Sequence, residues 1–341
     1  MTIVDATAST PVRVTSRSDW KSDQEVRWCP GCGDYSILAA MQLALPEMQV
    51  NPENTVMVSG IGCAARFPYY MNTYGIHGIH GRAPAIASGL ALSRPDLDVW
   101  VVGGDGDLLS IGGNHLLHTL RRNVDLTILL FDNHIYGLTK GQYSPTSETG
   151  KTTPSTPFGA TDHPVHPMSV ALGAEATFAA RTHDMDRDHM KEMFTRAHAH
   201  KGAAFVEVLQ NCNVFNDGAY GAITGKDTRD AMVIKLVHGQ PIRFGVDDER
   251  GVALDAAGNL VLVDVAEVGA DALMVHDETR ADPSLAMALS RLSLHLDSPT
   301  PFGVFRSVDA PIHRTQGAFD GAGKLEDLQS MMAGSGTWTV E

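Results

Sequence analysis

A chain of 341 residues, 43% hydrophobic and 19% charged, has enough apolar material for one large α/β domain or two modest ones, and its balance is ordinary for a soluble globular protein. The formal charge of −14 argues against a nucleic-acid binder, which needs clustered Lys and Arg. No run approaches the roughly 18 apolar residues of a membrane span, and Met1 to Asp19 lacks the apolar centre of a signal peptide; the expectation is a cytoplasmic protein with neither membrane nor nucleic-acid partner.

After a Ser/Thr-rich arm (residues 1–20), helical patterns cover Tyr35 to Leu45, Ala83 to Leu92, Ile111 to Arg121 and Asp186 to His200. Between them lie near-continuous apolar runs: Thr55 to Gly60, Asp98 to Gly103, Leu126 to Asp132 and Ala203 to Gln210. Such runs mark strands covered on both faces. Their alternation with helices predicts an α/β fold with a mostly parallel central sheet flanked by helices. Ligands of these sheets sit at the carboxyl ends of the strands. Ser59 to Cys63, Gly104 to Asp107, Asp132 to Gln142 and Asn211 to Asn213 all fall there. The polar stretch Tyr143 to His166 reads as a long ordered loop beside the ligand. Beyond residue 230 the pattern changes. Ile242 to Val265 predicts short strands joined by turns, Pro283 to Leu294 one helix, and the segment from Arg314 is Gly-rich. The division expected is an arm (1–20), a cofactor-binding domain (21–230) and a C-terminal extension (231–341) used for subunit contact.

Gly104-Asp105-Gly106-Asp107 directly follows a strand, and Asn133, 28 residues after Asp105, directly follows the next. Asp105 and Asn133 should therefore face one crevice from adjacent strand ends. Mg²⁺ takes oxygen ligands in octahedral geometry, usually one or two side chains plus ligand phosphates. A carboxylate, an amide oxygen and a backbone carbonyl near Ile135 supply such a corner, and Gly104 and Gly106 let backbone approach a diphosphate. GDG, about thirty residues and then Asn is the thiamine diphosphate signature. The competing reading is a strand-end turn with Asp as helix cap. A nicotinamide fingerprint is disfavoured, because GGDGD lacks the G-x-G-x-x-G register.

The four cysteines are Cys29 and Cys32 in WCPGCG, Cys63 in GIGC, and Cys212 in NCN, each at a turn or strand end. Four thiolates bind tetrahedral zinc or a cubane iron–sulfur cluster. Spacing alone leaves open zinc, a thioredoxin-like redox pair at WCPGC, and burial of Cys63 and Cys212 as small hydrophobes. Beside a thiamine cofactor a redox centre has a use and zinc has none, so the cluster is the reading adopted.

Together these residues resemble the β subunit of 2-oxoacid:ferredoxin oxidoreductases, most closely the 2-oxoglutarate branch. The matching pieces are WCPGCGDY (28–35), SGIGCAAR (59–66), HGIHGRAPAIASGLAL (77–92), GGDGDLLSIGGNHLLHTLRRN (103–123), FDNHIYGLTKGQYSPTS (131–147) and QNCNVFN (210–216). The resemblance implies thiamine diphosphate, Mg²⁺ and a [4Fe-4S] cluster, with coenzyme A as co-substrate and ferredoxin as electron acceptor. It implies that Cys29, Cys32, Cys63 and Cys212 ligate the cluster, and that Asp105, Asn133 and the Ile135 carbonyl bind Mg²⁺. By it, Gly106 and Asp107 approach the diphosphate, with Ile61, Gly62 and the His80-Gly81-Arg82 turn. Pyruvate and branched-chain 2-oxo acids remain alternative substrates; a zinc-stabilised, non-catalytic subunit is the alternative of another class.

Activation of thiamine needs a carboxylate held by a second α/β domain, for which this chain has little room. The activating Glu is therefore expected from an α subunit, in an α2β2 assembly. Lys140 is a candidate partner for a substrate carboxylate or coenzyme A, set against an ordinary solvated lysine. His80 is expected to hydrogen bond near the substrate.

Overall fold

In the computed structural model the described residues are 13–292 and 298–313, with Gly334 alone beyond them. Residues 1–12 of the arm and the Gly-rich segment, Gly334 apart, lie outside the described residues, and the helix expected over Pro283 to Leu294 spans Ser284–Ser290 and ends at Arg291.

Eleven strands are present among the described residues: β1 (Thr55–Ser59), β2 (Tyr74–His77), β3 (Asp98–Gly104), β4 (Leu126–Asp132), β5 (Phe178–His183), β6 (Ala203–Leu209), β7 (Val233–Leu236), β8 (Arg243–Phe244), β9 (Arg250–Leu254), β10 (Leu260–Asp264) and β11 (Thr300–Ser307). Eight form one sheet in the order β2-β1-β3-β4-β6-β5-β11-β7. Pairing is parallel from β2 through β5, antiparallel between β5 and β11, and parallel again between β11 and β7. The principal helices are α1 (Asp34–Glu47), α2 (Ala83–Ser93), α3 (Asp105–Leu109), α4 (Gly113–Arg121), α5 (Pro167–Gly173) and α6 (Arg187–Ala199).

The continuous apolar strands divide their side chains between two cores, as period-2 geometry requires. Met57, Trp100, Val102, Leu129 and Val206 face α1 and α6. Val58, Val101, Ile128, Leu130 and Phe205 face α2 and α4 on the other side. The register sets Gly104 beside Phe131 and Asp132 beside Leu209, so the exits of β3, β4 and β6 lie in a row.

The four expected strands and four expected helices are present, with bounds moved by two residues or fewer. Four strands of the large sheet do not announce themselves. β2 is an edge strand with three of its four residues exposed, β5 (FAARTH) mixes alanines with polar residues, β7 has only four residues, and β11 carries Pro301 and Gly303. The segment read as an extension from 231 thus contributes β7 and β11 to the main sheet, and β8, β9 and β10 form a separate antiparallel sheet.

Candidate active site

Asp105 opens α3 directly at the end of β3, and Asn133 follows β4. Asp105 is buried, and its Oδ2 accepts hydroxyl hydrogen bonds from Ser144 (2.5 Å) and Thr146 (2.6 Å). The Thr146 hydroxyl also lies 2.8 Å from Asp132 Oδ1. One hydroxyl carries one proton and cannot donate to two carboxylates at once. Burial first, and the Asp132 charge second, push Asp105 up to about 7 against the two hydroxyl bonds. A buried, mutually repelling carboxylate pair at the top of two adjacent strands fits a divalent cation. Its binding at neutral pH should release protons, and affinity should fall as pH drops below about 7, where Asp105 holds a proton; titrations in buffers of different ionisation enthalpy measure both.

Behind this corner, His134 Nδ1 lies 3.0 Å from Glu148 Oε1 and its Nε2 lies 3.5 Å from Asp132 Oδ2. Burial alone would lower the His134 pKa, but Asp132 and Glu148 outweigh it and push it up to about 10; His134 in turn holds Glu148 down at about 2. The ordinary values are 6.5 and 4.5, so the pair contributes in full between those pH values, loses strength as pH falls toward about 2, and is lost as pH rises through about 10. Glu148→Gln should lower stability by about 1–3 kcal/mol near pH 5.5. The gap to the unmodified chain should close at alkaline pH, as unfolding curves across pH will report.

Asp107 is buried in the first turn of α3. Its Oδ1 accepts N–H bonds from Ile61 (3.2 Å) and Gly81 (2.7 Å) and lies 2.7 Å from His80 Nδ1. One buried carboxylate thereby ties the turn after β1 and the turn before α2 to the start of α3. Packing also requires a glycine at 106: a Cβ there would meet Tyr136 Cε1 at 2.0 Å, and the Tyr136 hydroxyl donates to Gly106 O at 3.0 Å. Gly106→Ala should destabilise the chain by about 1–3 kcal/mol through overpacking, measurable by thermal denaturation. Gly62, by contrast, has φ +136° and open space at its Cβ position, a cradle that backbone alone can offer.

All four cysteines line one cavity of about 190 Å³, together with Arg27, Arg66, Asn133, Lys140 and Gln210. Cys29 is exposed; the others are half-buried. The loops are stitched together. Trp28 Nε1 donates to Cys63 O (2.7 Å), Asn213 Nδ2 to Pro30 O (2.7 Å), and Gly33 N to Asn211 O (3.2 Å). A Cβ at Gly137 would lie 3.6 Å from both Cys63 Sγ and Cys212 Sγ, so these sulfurs flank that glycine. Burial, and the charge of Asp34, push the Cys63 thiol up to about 12 and raise that of Cys32 as well. Among the described residues, no three His, Cys, Asp or Glu side chains close around a single ion position. Four thiols around one cavity are the donor set that a four-iron cubane takes.

Lys140 is exposed on the rim of this cavity, in a left-handed turn at φ 70°. His80 lies outside the cavity, beside Asp107 and Tyr136. Ser144, Thr146, Glu148 and Gln210 escape the sequence reading as site residues, although three of them fall in the loop it marked as lying near a ligand. A larger cavity of about 420 Å³ lies at the amino ends of the same strands, lined by Asp98, Leu126 and His198 among others, and is lined by none of the cysteines, Asp105 or Asn133.

Residues 57–208 match the family described as thiamine pyrophosphate enzyme, C-terminal TPP binding domain. With the parallel sheet and the buried acidic corner, this defines the class as a thiamine diphosphate-binding α/β protein. The chain is 54% identical to the 2-oxoglutarate oxidoreductase subunit KorB of Mycobacterium tuberculosis over 95% of its own length and 88% of that protein's. It is 48% identical to the β subunit of 2-oxoacid:ferredoxin oxidoreductase 1 of Aeropyrum pernix over 56% of this chain and 60% of that one. Among solved structures it resembles a 2-oxoglutarate:ferredoxin oxidoreductase from Magnetococcus marinus with 2-oxoglutarate, coenzyme A and succinyl-CoA bound. That match has a TM-score of 0.71 and 33% identity, and covers 88% of this chain and 87% of the other. The chain belongs to the KorB family of 2-oxoacid oxidoreductase β subunits.

Proposed function

We propose that this chain is the β subunit of a 2-oxoglutarate:ferredoxin oxidoreductase, which converts 2-oxoglutarate and coenzyme A to succinyl-CoA and CO₂ and delivers the electrons to ferredoxin. The observation that carries the reading is the row of strand ends that gathers four cysteines, Asn133 and Lys140 around one cavity next to the Asp105 corner. The bound 2-oxoglutarate, coenzyme A and succinyl-CoA named for the Magnetococcus marinus enzyme support the choice of substrate.

Thiamine diphosphate, held through Mg²⁺, supplies the electron sink for decarboxylation, and a [4Fe-4S] cluster supplies a one-electron acceptor. Asp105, the Asn133 amide oxygen and the Ile135 carbonyl would hold the cation. Cys29, Cys32, Cys63 and Cys212 would hold the cluster. Asp107 keeps the turns at Ile61 and Gly81 in place, and Gly62 leaves backbone room for the diphosphate. Lys140 offers a positive charge at the rim, suited to the second carboxylate that separates 2-oxoglutarate from pyruvate, or to coenzyme A phosphates. Ile61, Ile79 and Ile111 expose apolar surface on the turns beside Asp107. An α subunit covering them would exclude water and supply the activating Glu, in an α2β2 assembly in the cytoplasm.

Co-expression with the α subunit under anaerobic conditions, followed by assay with ferredoxin, tests the reading. Turnover should require both chains, coenzyme A and a 2-oxo acid, with 2-oxoglutarate preferred over pyruvate at least about tenfold in kcat/KM. Pyruvate preference, or turnover by this chain alone, would overturn it.

A further inference from the structure

We infer that Gln210 is a positioning residue shared by the two cofactor sites, orienting the Asn133 amide for the cation and donating a hydrogen bond to the Cys32 sulfur. The inference rests on the reading above, in which Asn133 serves Mg²⁺ and Cys32 the iron–sulfur cluster.

Gln210 is the first residue after β6 and is 1% exposed. Its backbone N–H donates to Asp132 O at 2.8 Å, which pins it against the end of β4. Its side-chain nitrogen donates to Asn211 O (2.6 Å) and to Cys32 Sγ (3.3 Å). Its oxygen accepts from Asn133 Nδ2 at 2.8 Å. A single neutral side chain therefore touches both a candidate cation ligand and a candidate cluster ligand.

The orientation of both amides follows from neighbours that can play only one part. A carbonyl only accepts, so Asn211 O fixes the nitrogen end of Gln210. A backbone N–H only donates, so the Ile135 N–H, 3.2 Å from Asn133 Oδ1, fixes the oxygen end of Asn133. The nitrogen of Asn133 must then meet the oxygen of Gln210, as it does. Flipping either amide alone would set like ends against each other. This holds the Asn133 oxygen, with a second lone pair, for a cation.

An N–H bond to a ligating sulfur favours the more negative, reduced state of a cluster and so raises its potential. In a half-buried site such a bond is stronger than in water. Glutamine meets both demands. Glutamate accepts from Asn133 but, when ionised, donates nothing to sulfur; methionine keeps the length and does neither.

The test uses the αβ complex, prepared anaerobically as the unmodified form, Gln210→Met and Gln210→Glu. Calorimetry on cofactor-stripped complex gives the Kd of thiamine diphosphate with Mg²⁺, and an EPR-monitored redox titration gives the cluster potential. Gln210→Met should bind cofactor about tenfold more weakly and shift the potential to a more negative value. Gln210→Glu should recover most of the affinity while its potential stays negative of the unmodified form. A purely structural role would lower stability or iron content and leave the potential of the remaining clusters unmoved. An unchanged potential in Gln210→Met, or equal Kd values for the two variants, would overturn the inference. Should Gln210→Met fail to assemble, an unchanged potential in Gln210→Glu does the same. If the unmodified complex itself shows no iron–sulfur signal, the functional reading has failed first, which the control makes visible.

Discussion

Asp105→Asn should weaken binding of thiamine diphosphate with Mg²⁺ by more than about 100-fold, because loss of the ligand role proposed for Asp105 must exceed the 10–100-fold typical of outer-sphere changes. The same substitution should leave the stability of the cofactor-free chain unchanged or raise it by about 1 kcal/mol. The two effects part company because of what surrounds Asp105. Its carboxylate is buried, held by Ser144 and Thr146, and pressed by Asp132 on the next strand, so that without a cation its ionised form is unfavourable. Asparagine keeps the shape and an acceptor oxygen for the hydroxyls and removes the repulsion. A site that strains the resting chain and is relieved by its ligand trades stability for function. Calorimetry for binding and thermal denaturation for stability separate the two. Loss of both together would mean that Asp105 is a structural cap.

Cys212→Ser should abolish the visible absorbance of the complex and lower electron delivery from 2-oxoglutarate to ferredoxin by at least about 100-fold. Thiamine diphosphate affinity should stay within about threefold. Cys212 sits on the loop after β6, where its carbonyl accepts from Asn216 N at 2.9 Å and its sulfur, like that of Cys63, lies beside Gly137. Serine keeps that backbone bond and nearly the same volume, so the loop should hold its path. A hydroxyl oxygen is a hard ligand and replaces thiolate poorly at an iron–sulfur cluster. Iron analysis and absorbance of the anaerobic complex measure the loss. Full electron transfer with serine in place would show that the four cysteines do not act together.

The parts of the fold that the sequence declares are the continuous apolar runs and the helical stretches between them. β1, β3, β4 and β6 are apolar runs buried on both faces, and their alternation with α1, α2, α4 and α6 is enough to infer a parallel sheet and the edge at which ligands bind. β5 and β11 lie inside the sheet, yet Arg181 in β5 pairs with Glu207 of β6 at 2.7 Å and Arg306 in β11 reaches Ala176 O, so these strands carry charge where a propensity argument expects apolar residues. Partners distant in the chain accept hydrogen bonds from these guanidinium groups, and no local pattern foretells them.

The site divides in the same way. Asp105 and Asn133 stand in short motifs directly after strands, Cys63 and Cys212 a few residues beyond one, and Cys29 and Cys32 in a motif ahead of α1, all visible in chain order. The groups that hold them are not, since Ser144 reaches Asp105 across 39 residues, Gln210 reaches Asn133 across 77 and Cys32 across 178. The bonds of Asp107 to Ile61 and Gly81, across 46 and 26 residues, are equally silent in the GDGD motif.

Chemical and spectroscopic analysis of the αβ complex, purified without oxygen, bears most directly on the pairing of cofactors in this crevice. It should contain about four iron atoms and four sulfides for each copy of this chain, with one thiamine diphosphate, and adding 2-oxoglutarate and coenzyme A should produce the EPR signal of a reduced cluster. Zinc in place of iron and sulfide, or a cluster that stays oxidised with both substrates present, would contradict it.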